Sequence, residues 1–330
     1  MHPIPGSRRR DWLRGLVACG AAALVAPALA QGFPARPIRL VVAFGPGSGN
    51  DLIARELAQQ MAETLGQPVV VENRAGAGGA LGTDMVAKAP PDGYTIGLGT
   101  SSQLVMNVGL HKSLPFDVER DLRLIGLVGR TPMLLAASAG GPKTLQALIA
   151  QAKAQPGTLS YGSAGLGSIS HVVAEAFARA ADVQLLHVPY KGNGPAMADL
   201  AGGHVALVFD GLYTTAPLAQ QGKVQMLAIS GSRRNPAAPQ LPTFAEQGLP
   251  GYEATTWNCL FAPGKVSPDV LATLNTALNK ALATPAIQAR LAAGGSEAIG
   301  PSTPEQADAH ARRERAQWVG FIRGLNLPVN

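Results

Sequence analysis

Ile38-Arg39-Leu40-Val41-Val42-Ala43-Phe44-Gly45-Pro46-Gly47-Ser48-Gly49-Asn50 reads as a strand running through a glycine-rich turn into a helix. The near-continuous apolar run from Ile38 to Phe44 is the pattern of a strand buried on both faces. Beyond the turn, Ile53, Leu57, Met61 and Leu65 recur every four residues and mark one stripe of a helix. Strand, tight turn and amphipathic helix in that order set the fold class as α/β.

The same alternation continues outward. Val69-Val70-Val71 is a second strand, Val86 to Ala89 closes a helix, and Thr95 to Leu98 is a third strand. This order predicts parallel strands joined by right-handed crossovers. A second series begins after Arg130. Its expected strands are Met133–Ala137, Leu159–Tyr161, Leu185–Val188 and Val205–Phe209, with helices at Thr144–Ala154 and Ile169–Ala180. A strand around Trp257–Phe261 then precedes mostly helical sequence, with Val270–Leu282, Ala286–Ala293 and Pro304–Arg323 as helices. No repeat of fixed period relates the two series.

The N-terminus predicts export. Arg8, Arg9, Arg10 and Arg14 precede an apolar stretch from Leu16 to Leu29 that ends in the small-x-small pattern Ala28-Leu29-Ala30. Residues 1–30 are therefore expected to be a signal peptide cleaved after Ala30, which leaves a periplasmic chain starting at Gln31. Arg9-Arg10-Asp11-Trp12-Leu13-Arg14 fits a twin-arginine signal as well as an Arg-rich Sec signal. Leu16-Val17-Ala18-Cys19 resembles a lipoprotein box, but only eight residues separate Arg10 from Cys19 and Arg14 interrupts them. The leader carries four Arg and one Asp, so it takes +3 of the net +6 and leaves the mature chain at +3. That mild balance, without a long Lys/Arg cluster, argues against nucleic acid. Cys259 is then the only mature cysteine, so an intramolecular disulfide is excluded and the residue reads as a small buried apolar one. Three hundred residues suffice for two hydrophobic cores.

Two glycine-rich turns each follow a strand and open a helix: Gly45–Asn50, and Gly162-Ser163-Ala164-Gly165-Leu166-Gly167-Ser168. The first amides of a helix lack internal partners, and the helix dipole adds about half a positive charge there. Such an end receives an anion without a cationic side chain. Neither turn is a Walker A loop, and Asn50 occupies the third glycine position of a dinucleotide fingerprint, so no nucleotide cofactor is expected. Ser163, Ser168, His171 and Asp210 include the residue types of a hydrolase triad. However, Tyr161-Gly162-Ser163-Ala164-Gly165 lacks the first glycine of G-x-S-x-G. His171, one turn inside its helix, is expected to brace the loop. His111, His171, His187 and His204 show no metal-ligand spacing, so no metal is expected.

Further stretches, in order, are Glu72-Asn73-Arg74-Ala75-Gly76-Ala77-Gly78-Gly79, Pro91-Asp92-Gly93-Tyr94, His187-Val188-Pro189-Tyr190-Lys191-Gly192, Pro242 to Gly248 and Phe261-Ala262-Pro263. With Pro37–Val42 they resemble the Bug-type solute-binding proteins of tripartite tricarboxylate transporters, over nearly the whole chain from Pro37 to about Arg323. The resemblance implies a two-domain Venus-flytrap fold of mostly parallel sheets flanked by helices, joined by two crossovers. Residues 31–132 and 253–330 would form one domain and 133–252 the other. It further implies a small carboxylate, mono- or dicarboxylic and possibly aromatic, held by the two loops through backbone amides and water, with no chemistry performed. The loops match Phe44, Gly45, Pro46, Gly47, Ser48 and Asn50, and Ser163, Ala164, Gly165, Gly167, Ser168 and His171. Ser101 and Ser102 match cleft positions, and Asp210 matches a position that meets a ligand amino or hydroxyl group, or else caps a helix. Asp51 is expected to point away from the anion. Ser48 and Asn50 stand where the family more often has Gly and Thr or Ser, and Cys259 stands for a small Gly. The implied partners of the monomeric receptor are the permease subunits of the transporter or, alternatively, a periplasmic sensor domain.

Overall fold

The computed structural model describes His2 and residues 32–325. The expected leader, its cleavage after Ala30 and the start at Gln31 lie outside the described residues. From Ile38 the chain builds β1 (Ile38–Val42), α1 (Gly49–Leu65), β2 (Val69–Asn73), α2 (Ala80–Ala87), β3 (Thr95–Thr100), the short α3 (Asn107–Leu110) and β4 (Leu122–Pro132). After Met133 alone, it enters β5 (Leu134–Ser138), α4 (Leu145–Ala154), β6 (Ser160–Ser163), α5 (Ile169–Ala180) and β7 (Leu186–Pro189). There follow α6 (Asn193–Ala201), β8 (Leu207–Asp210), α7 (Leu212–Gln220) and β9 (Val224–Ile229). It then returns through β10 (Thr255–Pro263), α8 (Pro268–Leu282), α9 (Pro285–Ala293), β11 (Glu297–Ala298) and α10 (Pro304–Gly324).

Two sheets result, each the centre of one α/β lobe. The first has the order β11-β4-β10-β3-β1-β2, and the second β7-β6-β8-β5-β9. Four of six strands in the first run one way, with β10 and β11 opposed. Four of five in the second do so, with β5 opposed. The opposed strands β10 and β5 are the first strands after a crossing between lobes, and each inserts beside strands already in place. At the crossing, the Met133 amide donates to Ala254 O at 2.8 Å and the Ser230 amide donates to Met133 O at 2.9 Å. The Ala254 amide donates to Ser230 Oγ at 2.6 Å. Two chain segments thus pass between lobes side by side, as a hinge requires.

Each sheet is buried on both faces, as the apolar runs demand. Ile38, Leu40 and Val42 pack with α1 and α8, while Val41 faces Trp257, Phe261 and α10. In the second sheet, Leu135, Tyr161 and Phe209 lie on one face, and Leu134, Ala136 and Val208 on the other. No strand is expected from the sequence between Leu98 and Met133, yet β4 spans 11 residues there. Gly126 and Gly129 interrupt its apolar run, which weakens the pattern. β9, α6 and α7 were likewise not legible, because their segments are short or interrupted by Gly and Pro217.

Candidate functional site

The two glycine-rich turns face one another across the seam between the lobes. Ser48 caps α1, its Oγ accepting the Asp51 amide at 3.3 Å, and Ser168 caps α5, its Oγ accepting the His171 amide at 3.3 Å. Both caps are extended in backbone and buried. The amides of Gly49, Asn50 and Ser170 come first in their helices and have no carbonyl a turn upstream to bond. The Ile169 amide donates instead to Ser102 Oγ at 2.8 Å, from the other lobe.

Between these ends lies a narrow cleft with a cavity of about 70 Å³. Of the residues singled out from sequence, Phe44, Ser48, Asn50, Ser102, Ala164, Ser168 and Asp210 line it. Gly45, Pro46, Gly47, Ser101, Ser163, Gly165, Gly167 and His171 stand outside the cleft wall, Pro46 and Gly47 exposed and the others buried. Thr131, Met133, Thr256 and Asn258, from the crossing strands, also line the cleft, with Ser170, Asn193, Tyr213, Thr214 and Ser296. Their signal in the sequence was faint: isolated polar residues in or beside apolar strands. Asn258 Nδ2 donates to Asn50 Oδ1 at 2.7 Å, so the hinge strand orients the side chain at the mouth of α1.

The lobes are closed on one another. A Cβ on Gly78 would stand 2.3 Å from Leu166 O, and one on Gly45 would stand 3.1 Å from Lys191 O. Only glycine allows backbone of one lobe to approach backbone of the other this closely.

The lining among the described residues contains no Lys, Arg or His. Its one carboxyl is Asp210, at the end of β8. Burial pushes that group above the usual carboxylate range, opposed by hydrogen bonds from Thr214, Asn193 and Gly211. Asp210 accepts from the Gly211 amide at 2.9 Å and from Thr214 Oγ1 at 2.7 Å, so it steadies the start of α7 and lines the cleft at once. Asp51 does point away. Burial raises its carboxyl, but hydrogen bonds from Arg55, Gly47 and Asn73 outweigh that and hold it below its ordinary value.

Behind the second loop stands a column of rings. Tyr161 stacks on His187 at 4.8 Å, and His187 on His171 at 4.2 Å. His171 Nδ1 accepts the Gly167 amide at 3.3 Å and so braces the loop. Ser163 Oγ takes the Gly165 amide at 3.1 Å and lies 2.6 Å from His187 Nε2, a partner the sequence did not suggest. Burial lowers His171 to about 3, helped by the neighbouring His187, and lowers His187 to about 4. Both rings are therefore neutral near pH 7, and Ser163 Oγ and His187 Nε2 share a hydrogen bond that fixes the loop. Cys259 is fully buried, and burial raises its thiol.

The sequence profile of the family described as "Tripartite tricarboxylate transporter family receptor" matches residues 53–327. The chain belongs to this family. It is 39% identical over 307 residues to BugT of Bordetella pertussis, covering 92% of this chain and 93% of that one. Among solved structures, the periplasmic binding protein BugD superposes with a TM-score of 0.86 at 35% identity, covering 89% of this chain and 99% of that one. MatC of Rhodopseudomonas palustris, solved with bound malate, superposes at 0.84 with 33% identity, covering 88% of this chain and all of its own (100%). The two-lobed receptor fold and the family role as a solute receptor thus agree with the resemblance read from sequence.

Proposed function

We propose that this receptor binds a small carboxylate between the N-termini of α1 and α5, in the periplasm, and presents it to the permease subunits of a tripartite transporter. The observation that carries this reading is the closed cleft itself: two serine-capped helix ends meet there, and among the described residues no cationic side chain lines it. A cleft of that kind favours an anion small enough to be shared by backbone amides. Each hydrogen bond to charge contributes about 1.5–3 kcal/mol, and closure excludes the water and salt that would screen it. Asp210 would disfavour a second carboxylate beside it, but its oxygens suit a ligand hydroxyl or amino group. A hydroxy or amino carboxylate therefore fits better than an inorganic anion.

In this reading, the loop residues outside the cleft wall, Gly45–Gly47, Ser163, Gly165, Gly167 and His171, act through backbone shape, while Ser48, Asn50, Ser102, Ala164, Ser168 and Asp210 face the ligand. The lobes divide at residues 132/133 and 252/253, where the two crossing segments bond through Met133. The receptor acts as a monomer and performs no chemistry. Ser163 is fully buried against a neutral His187, an arrangement that supports a loop brace over a nucleophile.

A thermal-shift panel on the chain from Gln31 onward tests the ligand class, using malate, aspartate, glutamate, succinate, citrate, nicotinate and benzoate with the amide of each hit. Partial unfolding beforehand strips any carried-over ligand. At 100 times Kd a true ligand stabilises by about 2.7 kcal/mol. A stabilising carboxylate whose amide is inert supports the reading; stabilisation by acid and amide alike refutes it.

A further inference from the structure

Tyr213 opens α7 in the second lobe, yet its ring sits in a socket made entirely by the first. The ring lines a small pocket together with Glu56 and Leu57 of α1, Val128 of β4, and Ile287 and Arg290 of α9. Its hydroxyl donates to Glu56 Oε1 at 3.1 Å, and Arg290 Nε reaches the same oxygen at 2.6 Å. The Arg290 guanidinium carbon lies 4.4 Å from the ring centroid, so the ring is held by a cation on its face and an anion at its tip. At the ring's edge the first lobe offers bare backbone: a Cβ on Gly294 would stand 2.9 Å from Tyr213 Cδ2 and 3.4 Å from its Cβ. Gly294 has φ −79°, which any residue adopts, so in an isolated first lobe alanine would be free of strain there. Only the seated Tyr213 requires glycine at 294. At the next residue, Gly295, the backbone itself favours glycine with φ 69°, and a Cβ there would also stand 2.6 Å from Leu212 Cδ1. Tyr213 also lines the ligand cleft.

We infer that Tyr213 is the latch of the closed receptor, a plug that enters the first lobe's Glu56–Arg290–Gly294 socket only when the lobes shut. The inference rests on the reading of the cleft as one that opens and closes. Every contact just described joins the two lobes, so opening breaks them together. Because the ring also forms part of the cleft wall, a ligand seated against it holds the plug in its socket. Tyr213 is thus a positioning residue for ligand retention, acting through the lobe–lobe contact.

The test is a cysteine trap, Tyr213→Cys with Gly294→Cys, in the chain from Gln31 onward. The two Cβ positions lie 3.4 Å apart, near the roughly 3.5–4.5 Å that a disulfide spans. The native Cys259 is buried and does not compete. Mild oxidation is expected to consume both introduced thiols. The oxidised protein should show a smaller radius of gyration in small-angle scattering than the Gly294→Ala variant, which cannot seat the ring. Both thiols remaining free in a variant that melts like the wild type would overturn the latch. Equal radii for the oxidised pair and Gly294→Ala would overturn it too. No ligand enters these measurements, so a failed carboxylate screen beside a formed disulfide would refute the ligand reading alone.

Discussion

Acidification should weaken this protein through two stacked histidines beside the second glycine-rich loop. His171 is buried and His187 half-buried, and the two are stacked and neutral, with folded values near 3 and 4 against an ordinary value of about 6.5. The unfolded chain therefore takes up these protons first as pH falls. Their contribution is fully present above about pH 6.5 and is lost progressively below it, down to the folded values. At pH 5, each ring costs about 2 kcal/mol relative to pH 8, and the pair about 4 kcal/mol, a large share of a typical total stability. Urea unfolding of the wild type at pH 8 and pH 5 measures the loss, and His171→Gln isolates one ring's share. The variant should show about 2 kcal/mol less pH dependence than the wild type. An identical loss in both proteins would refute the neutral stack, and with it the view that these rings are scaffold for the loop rather than acid–base groups.

Three further outcomes follow from the same geometry. Gly78→Ala should weaken carboxylate binding by tenfold or more in calorimetry, because its Cβ meets Leu166 O at 2.3 Å and its φ of 58° disfavours alanine. Asp210→Asn should cost a hydroxy or amino carboxylate about 1.5–3 kcal/mol while sparing its analogue without that group, read as two affinities side by side. Ser48→Ala should remove the N-cap of α1 and cost about 1 kcal/mol of stability in denaturant unfolding.

How much of this was legible in the sequence depended on whether a residue's role is local. The strands β1, β3 and β8, and the Ile169–Ala180 helix, announced themselves because burial on a sheet or on one helical stripe leaves a periodic trace. Both loops were legible for the same reason: a serine cap after a glycine turn is a property of consecutive residues. The cleft wall from the crossing strands was not. Thr131, Thr256 and Asn258 are brought to the cleft by pairing between segments more than a hundred residues apart. The Ser163–His187 contact likewise joins neighbouring parallel strands, β6 and β7, whose register no local pattern reveals. Tyr213 gives no local sign that its partners are Glu56 and Arg290. Family resemblance pointed to Ser102 and Asp210, which line the cleft, but not to Thr131, Thr256 or Asn258.

The most direct test is a crystal structure of the protein soaked or grown with the best carboxylate from the thermal-shift panel. One carboxylate group should lie within about 3 Å of the Asn50 and Ser170 amides, directly or through one ordered water, with no cationic side chain in contact. A carboxylate bound by Lys or Arg outside the cleft, or turned toward Asp210 with the helix ends unoccupied, would contradict this placement.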